Sequence, residues 1–460
     1  MTINMLKKKI RHFFGLLIIY HLKLIAKISL FINHPIIIGV AGSIGKSSTC
    51  YAIEAVLKNE MAFLHIHTNS ETGVPLGILG LEKGDYTTKF WLQVLFLSPF
   101  KILYLKHFKV VLIEMGVDSP KDMSYLLSIV QPEIGIITHE SATHTQQFSQ
   151  LLSCKERKLP KNDQEKILIQ ALTKEDYRLV NQKKCRFVLF NTDNIYLKKQ
   201  FQLHPLNKKQ VWRLGSSKNN QLIFLNYRIN DTTTIFEYKI KINNIITDVI
   251  LKFHDHALPK EYQTIFGFAI LTGLIFNLPI KKIITNLENQ IHLPKSRSTL
   301  IYGKNSRLII DSSYNSSKES VLSLLNLVLD LKLLQPRPVI IVLADMLELG
   351  PLSQKEHFEV GRVALNLADQ LILVGDLTKQ YILPLATTTK IKIKHFENLK
   401  LLRDYLPLLP KNSLILFKGS QGQLWLEEAI KILIQPHQYD QLCRQNIFWQ
   451  KVKKKKNLWF

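Results

Sequence analysis

Acidic residues are scarce in this chain: 36 Asp and Glu stand against 61 Lys and Arg, a formal charge of +25 over 460 residues. Cysteine is scarcer still, with Cys50, Cys154, Cys185 and Cys443 far apart and none in a CxxC pair. Such spacing excludes a disulfide scaffold and a thiolate zinc site, and it fits a reducing, cytoplasmic compartment. Glycine and proline, 19 and 17, are too few for a collagen-like or low-complexity chain. No nucleic-acid-binding module accompanies the basic excess, so no nucleic-acid partner is expected. What remains is a globular chain, 46% hydrophobic and 21% charged, with a length that suits two to four domains at roughly 100–200 residues each.

A long apolar run is missing from the N-terminus as well. Phe13 to Tyr20 is apolar for eight residues before His21 and Lys23 interrupt, short of the roughly 20 that a spanning helix needs. Residues 1–38 carry Lys7, Lys8, Lys9, Arg11, Lys23 and Lys27 without one acid. Ile10, Phe13, Phe14, Leu17, Leu24, Ile25 and Ile28 fall at helical spacing, so the segment reads as a basic amphipathic helix. Such a helix packs on its own domain or lies in a membrane interface. The tail from Lys451 to Phe460 adds five lysines beside Trp459 and Phe460, which suits an anionic membrane surface.

The most informative element follows. Pro35 to Ile38 is a short apolar run of strand type, and it enters Gly39-Val-Ala-Gly42-Ser43-Ile-Gly45-Lys46-Ser47-Ser48, read as a phosphate loop of the GxxxxGK[ST] kind. A helical pattern follows at Tyr51, Ala52, Ala55, Val56 and Leu57. In that context glycines let backbone N–H groups converge on phosphate oxygens at a helix N-terminus. Lys46 would reach the terminal phosphates of a nucleoside triphosphate and Ser47 would sit on Mg²⁺. Lys109 to Gly116 is a second strand pattern carrying Glu114 at its end, where a parallel sheet binds ligands. A third strand, Ile134 to Thr138, runs towards His144.

The ordered blocks Gly39–Ser48, Asn69–Pro75, Glu114–Gly116, Asp311–Asn315 and Asp345–Gly350, followed by Lys418-Gly419-Ser420, make the chain resemble the Mur ligases of peptidoglycan synthesis from about Gly39 to Glu427. The Asp345–Gly350 block with His357 and Gly361 is similar to the branch whose acid is a muramoyl peptide and whose amine is D-Ala-D-Ala. The resemblance implies an ATP-dependent acid–amino-acid ligase that forms an amide through an acyl phosphate, with ATP and Mg²⁺ as cofactors. It implies an α/β fold: a P-loop central domain with a parallel sheet over 39–293, then a smaller Rossmann-like domain over 294–460. Alternating strand runs at Leu308–Asp311, Val339–Leu343, Leu371–Val374 and Leu414–Phe417 fit the second domain.

By the same resemblance Lys46 stabilises the transferred phosphoryl group, and Ser47, Glu114, His144 and Lys158 serve the metals. Lys158 would be the family's carbamylated bridging lysine, with Lys155 as its competitor. Gly42, Ser43, Gly45, Ser48, Arg297, Asp311, Tyr314 and Asn315 would meet nucleotide, and Asn69, Lys418 and Ser420 substrate. Three departures accompany the match. Only 38 residues precede Gly39, too few for the family's UDP-binding domain; Pro259-Lys-Glu261-Tyr262 stands where an adenine-contacting Gly-x-His-Asn is usual; and Ile44, Ser312 and Lys318 replace a usual Asn, Asp and Pro. The expected form is a monomer in the cytoplasm, with peripheral contact to the anionic inner membrane. A ligase for a different acid and amine, and a non-catalytic ATP-binding paralogue at the membrane, are the other readings.

Overall fold

The computed structural model describes residues 3–455 apart from 83, 85–86, 143–144, 231–232, 243–244, 255, 389–390 and 421–423. His144 and the terminal Trp459-Phe460 lie outside the described residues. The chain divides into two compact units, one of Met1–Glu140, Ala171–Gln221 and Gly267–Ile291, the other of Ser141–Gln170, Leu222–Phe266 and His292–Phe460.

The strands of the first unit are β1 (Ile36–Ala41), β2 (Phe63–Ile66), β3 (Val110–Glu114), β4 (Ile134–Ile137), β5 (Phe187–Asn191) and β6 (Gln210–Gly215). They lie parallel in the order β2-β3-β1-β4-β5-β6. The central three are near-continuous apolar runs, as strands covered on both faces must be. The connection after β1 leaves towards β2 and the one after β3 crosses to β4 on the far side of β1, so the C-terminal ends of β1 and β3 form the switch point where such sheets bind ligands. Val40 pairs with Glu114, which sets that carboxylate level with the loop leaving β1.

The second unit holds an antiparallel meander of β7 (Leu222–Ile229), β8 (Thr233–Ile242) and β9 (Ile245–His254). Its second sheet comprises β10 (Thr299–Tyr302), β11 (Leu308–Ser312), β12 (Val339–Ala344), β13 (Gln370–Val374), β14 (Lys392–Phe396) and β15 (Leu414–Lys418). The order is β10-β11-β15-β12-β13-β14, parallel except for β10. Helices Lys318–Leu334 and Ser353–Leu367 cover one face with Leu324, Leu327, Val328 and Ala364. This is the expected Rossmann-like arrangement.

Two expectations about the chain ends need correction. The N-terminal segment is one helix, α1 (Ile3–Asn33). Within it Phe14–Asn33 is 20 residues long with an 18-residue window of mean hydropathy 1.8, so by length and composition it can cross a membrane. Counting from the uninterrupted run undersold it, because Lys23 and Lys27 are its only charges. Yet Leu22 and Ile25 are buried with Leu76, Leu79 and Val94 in one cluster, and Ala26 is buried too. The basic tail is also less free than its composition suggests. Lys453 is buried, and its ammonium donates to Glu428 at 2.6 Å and pairs with Glu427 at 3.1 Å.

Candidate functional site

Helix α2 (Lys46–Leu57) starts at the end of β1, after a turn that forces backbone into the left-handed region at Gly42 (φ 123°) and Gly45 (φ 86°). A Cβ on Gly42 would stand 2.3 Å from Thr138 Oγ1, so only glycine fits both the angle and the approach. The loop is Gly42-Ser-Ile-Gly45-Lys46-Ser47, shorter than GxxxxGK[ST]. Gly39 stands one residue too early for that spacing and lies inside β1, where a Cβ would crowd Pro132, Met115 and Leu179. It is a packing glycine. Thr138 Oγ1 donates to Ile44 O at 2.6 Å and Ser43 N to His139 O at 2.7 Å, which anchors the loop to the end of β4 (Ile134–Ile137).

Lys46 Nζ donates to Gly42 O at 2.6 Å and lies 3.4 Å from Ser43 O. Ser47 Oγ donates to Glu114 Oε2 at 2.7 Å. A hydroxyl and a carboxylate thus meet at the C-terminal ends of adjacent strands, both hard oxygen donors of the kind Mg²⁺ prefers. Asn69 lies against Gly116, in the segment that follows Glu114: a Cβ on Gly116 would be 2.7 Å from its Nδ2. Ser48 is buried in the first turn of α2. The glycine cradle and this oxygen pair fit a magnesium-bound triphosphate.

Sequence reasoning missed two groups here. Glu140 accepts from Ser43 Oγ at 3.1 Å and is fully buried with Asp176. Burial, and then the neighbouring carboxyl, push Glu140 well up; burial also pushes Asp176 up, although Lys46 counters it. Glu140 Oε1 and Asp176 Oδ1 otherwise lack partners, so one proton held between the two carboxyls satisfies both and leaves one buried charge there instead of two. Glu54, His65 and His67 form the other group, with ligand atoms all within 4.8 Å of one another. His65 Nδ1 lies 2.7 Å from Glu54 Oε2, and that hydrogen bond lowers the Glu54 carboxyl to about 2. Only a His-x-His on a strand hinted at it.

In the second unit the predicted nucleotide residues gather around β11 (Leu308–Ser312). Asp311 is buried, accepts from Ser296 Oγ at 2.5 Å and from Ser313 N at 3.0 Å, and is pushed up by burial. The Arg297 guanidinium lies 4.6 Å over the Tyr314 ring. Lys418 donates to Asn315 O, and burial lowers its ammonium to about 7. Ser420 Oγ accepts from Leu347 N at 3.0 Å, which ties its loop to the Asp345–Gly350 block. His357 clamps that block: Nε2 accepts from Met346 N at 3.0 Å while Nδ1 donates to Ser353 O at 2.7 Å, and burial lowers it. Lys318 forms an ion-pair network with Glu165, Glu356 and Glu359. Lys158 closes the short turn Glu156–Lys158 and is exposed, as is Lys155; both belong to this unit, whereas Ser47 and Glu114 belong to the other.

The chain matches the Mur ligase middle domain over residues 40–253 and the Mur ligase glutamate ligase domain over 296–421. A UDP-N-acetylmuramoyl-tripeptide–D-alanyl-D-alanine ligase of Rickettsia prowazekii is 25% identical over 84% of this chain and 75% of its own length. The enzyme of that name from Buchnera aphidicola subsp. Acyrthosiphon pisum is 26% identical over 86% and 76%. Among solved structures, MurF from Acinetobacter baumannii superposes with a TM-score of 0.68 at 19% identity, over 89% of this chain and 79% of that one. The MurF ligase from Thermotoga maritima in complex with ADP gives 0.66 at 17%, over 95% and 84%. At such identities the structural likeness is one of fold.

Proposed function

Because the chain belongs to the Mur ligase family, we propose that it is an ATP-dependent ligase joining the carboxyl of a muramoyl peptide to the amine of D-Ala-D-Ala in peptidoglycan synthesis. The observation that carries the reading is the Ser47–Glu114 hydrogen bond beside Lys46 at the end of the central strand. The substrate carboxylate attacks the γ-phosphorus of ATP and ADP leaves; the amine then attacks the acyl carbon, loses a proton, and phosphate departs. Lys46 exchanges its loop carbonyls for phosphate oxygens and meets the charge that develops on the transferred group. Ser47 and Glu114 would hold Mg²⁺, with His144 and a carbamylated Lys158 as further ligands. The metal would neutralise the negative partners that must meet.

Arg297, Asp311, Tyr314 and Asn315 are assigned to nucleotide, and Asn69, Lys418 and Ser420 to substrate. We assign 39–293 and 294–460 as the central and C-terminal domains of a monomer. It works in the cytoplasm with α1 (Ile3–Asn33) resting on the anionic inner membrane face.

The test is phosphate release from ATP with muramoyl-tripeptide and D-Ala-D-Ala, each omitted in turn. Release that needs both supports the assignment. Release that needs another amine moves the chain to a different acid–amine pair, and none at all with any pair tested leaves an ATP-binding paralogue.

A further inference from the structure

The first unit leaves a large apolar surface uncovered on two neighbouring elements. On α1 (Ile3–Asn33) the buried side is Leu22, Ile25, Ala26 and Ser29, the last donating to Ile102 O at 2.7 Å. The opposite side presents Leu17, Leu24 and Phe31, spaced by seven residues and all exposed, Phe31 by 75%. Beside it runs α4 (Thr88–Leu97), continued by the turn Ser98–Lys101. Only Val94 of this helix is buried, while Leu92, Phe96, Phe100 and Leu103 face outward, Phe96 at 70% and Phe100 at 74%. The Phe96 and Phe100 rings pair at 5.7 Å. His21 Nε2, 2.9 Å from Ser98 Oγ, fixes the two elements against each other. Soluble monomers rarely expose contiguous apolar patches beyond a few hundred Å², so this one calls for an occupant.

Charge selects the occupant. No acidic residue precedes Glu54, and none lies between 86 and 113. The first element's sequence carries Lys7, Lys8, Lys9, Arg11, Lys23 and Lys27, and the second with its flanks carries Lys89, Lys101, Lys106 and Lys109. Lys27, Lys89, Lys101 and Lys106 are exposed, whereas Lys23 lies over the Tyr125 ring. Apolar side chains on two elements whose own charges are all cationic match a lipid surface with negative headgroups. A second copy of this chain would bring like charge to like charge.

We propose that α4 and the turn after it, through Leu92, Phe96, Phe100 and Leu103, form the second half of an anionic-lipid docking face whose first half is the outer stripe of α1. The inference rests on the membrane reading of α1 and extends it to a segment that the sequence did not mark. Docking is in the plane of the interface. A crossing α1 would strip Leu22 and Ile25 from their cluster and break the hydrogen bonds of His21, Ser29 and Asn33.

The test is co-sedimentation of the full chain with phosphatidylglycerol-containing and pure phosphatidylcholine vesicles. Three variants accompany it: F96S/F100S, L17S/L24S/F31S and K89E/K101E/K106E. The wild-type protein should bind the anionic vesicles and be released by high salt. Each variant should bind at least about tenfold more weakly, with an unchanged melting temperature, since all the altered side chains face outward. If F96S/F100S and K89E/K101E/K106E bind as wild type while L17S/L24S/F31S does not, this inference falls and α1 alone makes the contact. If the wild-type chain does not sediment with anionic vesicles, both readings fall. Retention in high salt overturns in-plane docking, and a wild-type dimer that F96S/F100S splits, without vesicle binding, assigns the face to a second copy.

Discussion

Two polar clusters in this protein use similar residues to opposite ends. At the end of β1 (Ile36–Ala41), Lys46, Ser47 and Glu114 are only half-buried and lean on one another or on loop carbonyls. In the second unit Glu427 is fully buried and accepts both Nε and Nη2 of Arg444, at 2.8 and 2.7 Å, while Lys453 closes the group at 3.1 Å. The first cluster can trade its partners for a ligand at small cost because water still reaches it. The second cannot, since an ion withdrawn from a buried network leaves an uncompensated charge. A charged group is thus a candidate for chemistry when its present partners are replaceable, and a candidate for architecture when they are not.

Removing one carboxylate from the closed cluster breaks the comparison most severely. Glu427→Ala strands Arg444 and leaves Lys453 with Glu428 alone, and should cost about 3–5 kcal/mol of stability, read as a large fall in melting temperature. A variant that melts with the wild type would mean that the network is not closed. The open cluster should respond in the other currency. Lys46→Ala should lose about 10² to 10³ in ligation rate while melting within a degree or so of wild type. Turnover within tenfold of wild type would remove Lys46 from the phosphate site.

The same contrast explains what could be read from the chain itself. The apolar strand runs, the glycine turn, Glu114 and the ordered motif blocks were legible because each is a local pattern with a local cause. Lys453 was not: a lysine in a basic tail and a lysine inside an ion-pair network look alike until Glu427 and Glu428 are brought beside it. Glu140 and Asp176 were missed for the same reason, since 35 residues separate two carboxyls that share one buried site. The apolar side of α4 (Thr88–Leu97) was hidden differently. Its outward phenylalanines give the same hydrophobic signal as a core helix, and only packing shows which face is covered.

The bridging lysine gives the third test. Lys158→Ala should lose more than tenfold in phosphate release, and bicarbonate should not restore it. A short carboxylic acid in solution should rescue in part, by supplying the oxygen atoms that a carbamate would have offered. Lys155→Ala should stay close to wild type. If Lys155→Ala is dead and Lys158→Ala active, the bridging role belongs to Lys155, and the turn Glu156–Lys158 is a solvated face.

The smallest expected effect separates a carboxylate that gains from ionisation from those that burial suppresses. Glu54, hydrogen-bonded to His65, has its carboxyl lowered from 4.5 to about 2, whereas burial raises Asp311 and Glu140. A depressed folded-state value means that the unfolded chain binds the proton more readily. The stabilisation from Glu54 is therefore complete above about pH 4.5 and disappears as pH falls towards about 2. Water reaches this side chain, so the contribution is modest. Glu54→Gln should lower the melting temperature slightly at pH 6, and the gap from wild type should close as the pH falls towards 2. Melting curves of both proteins across that range measure it directly. A gap that stays constant would show that Glu54 acts through packing alone, and a gap that widens in acid would reverse the assigned sign.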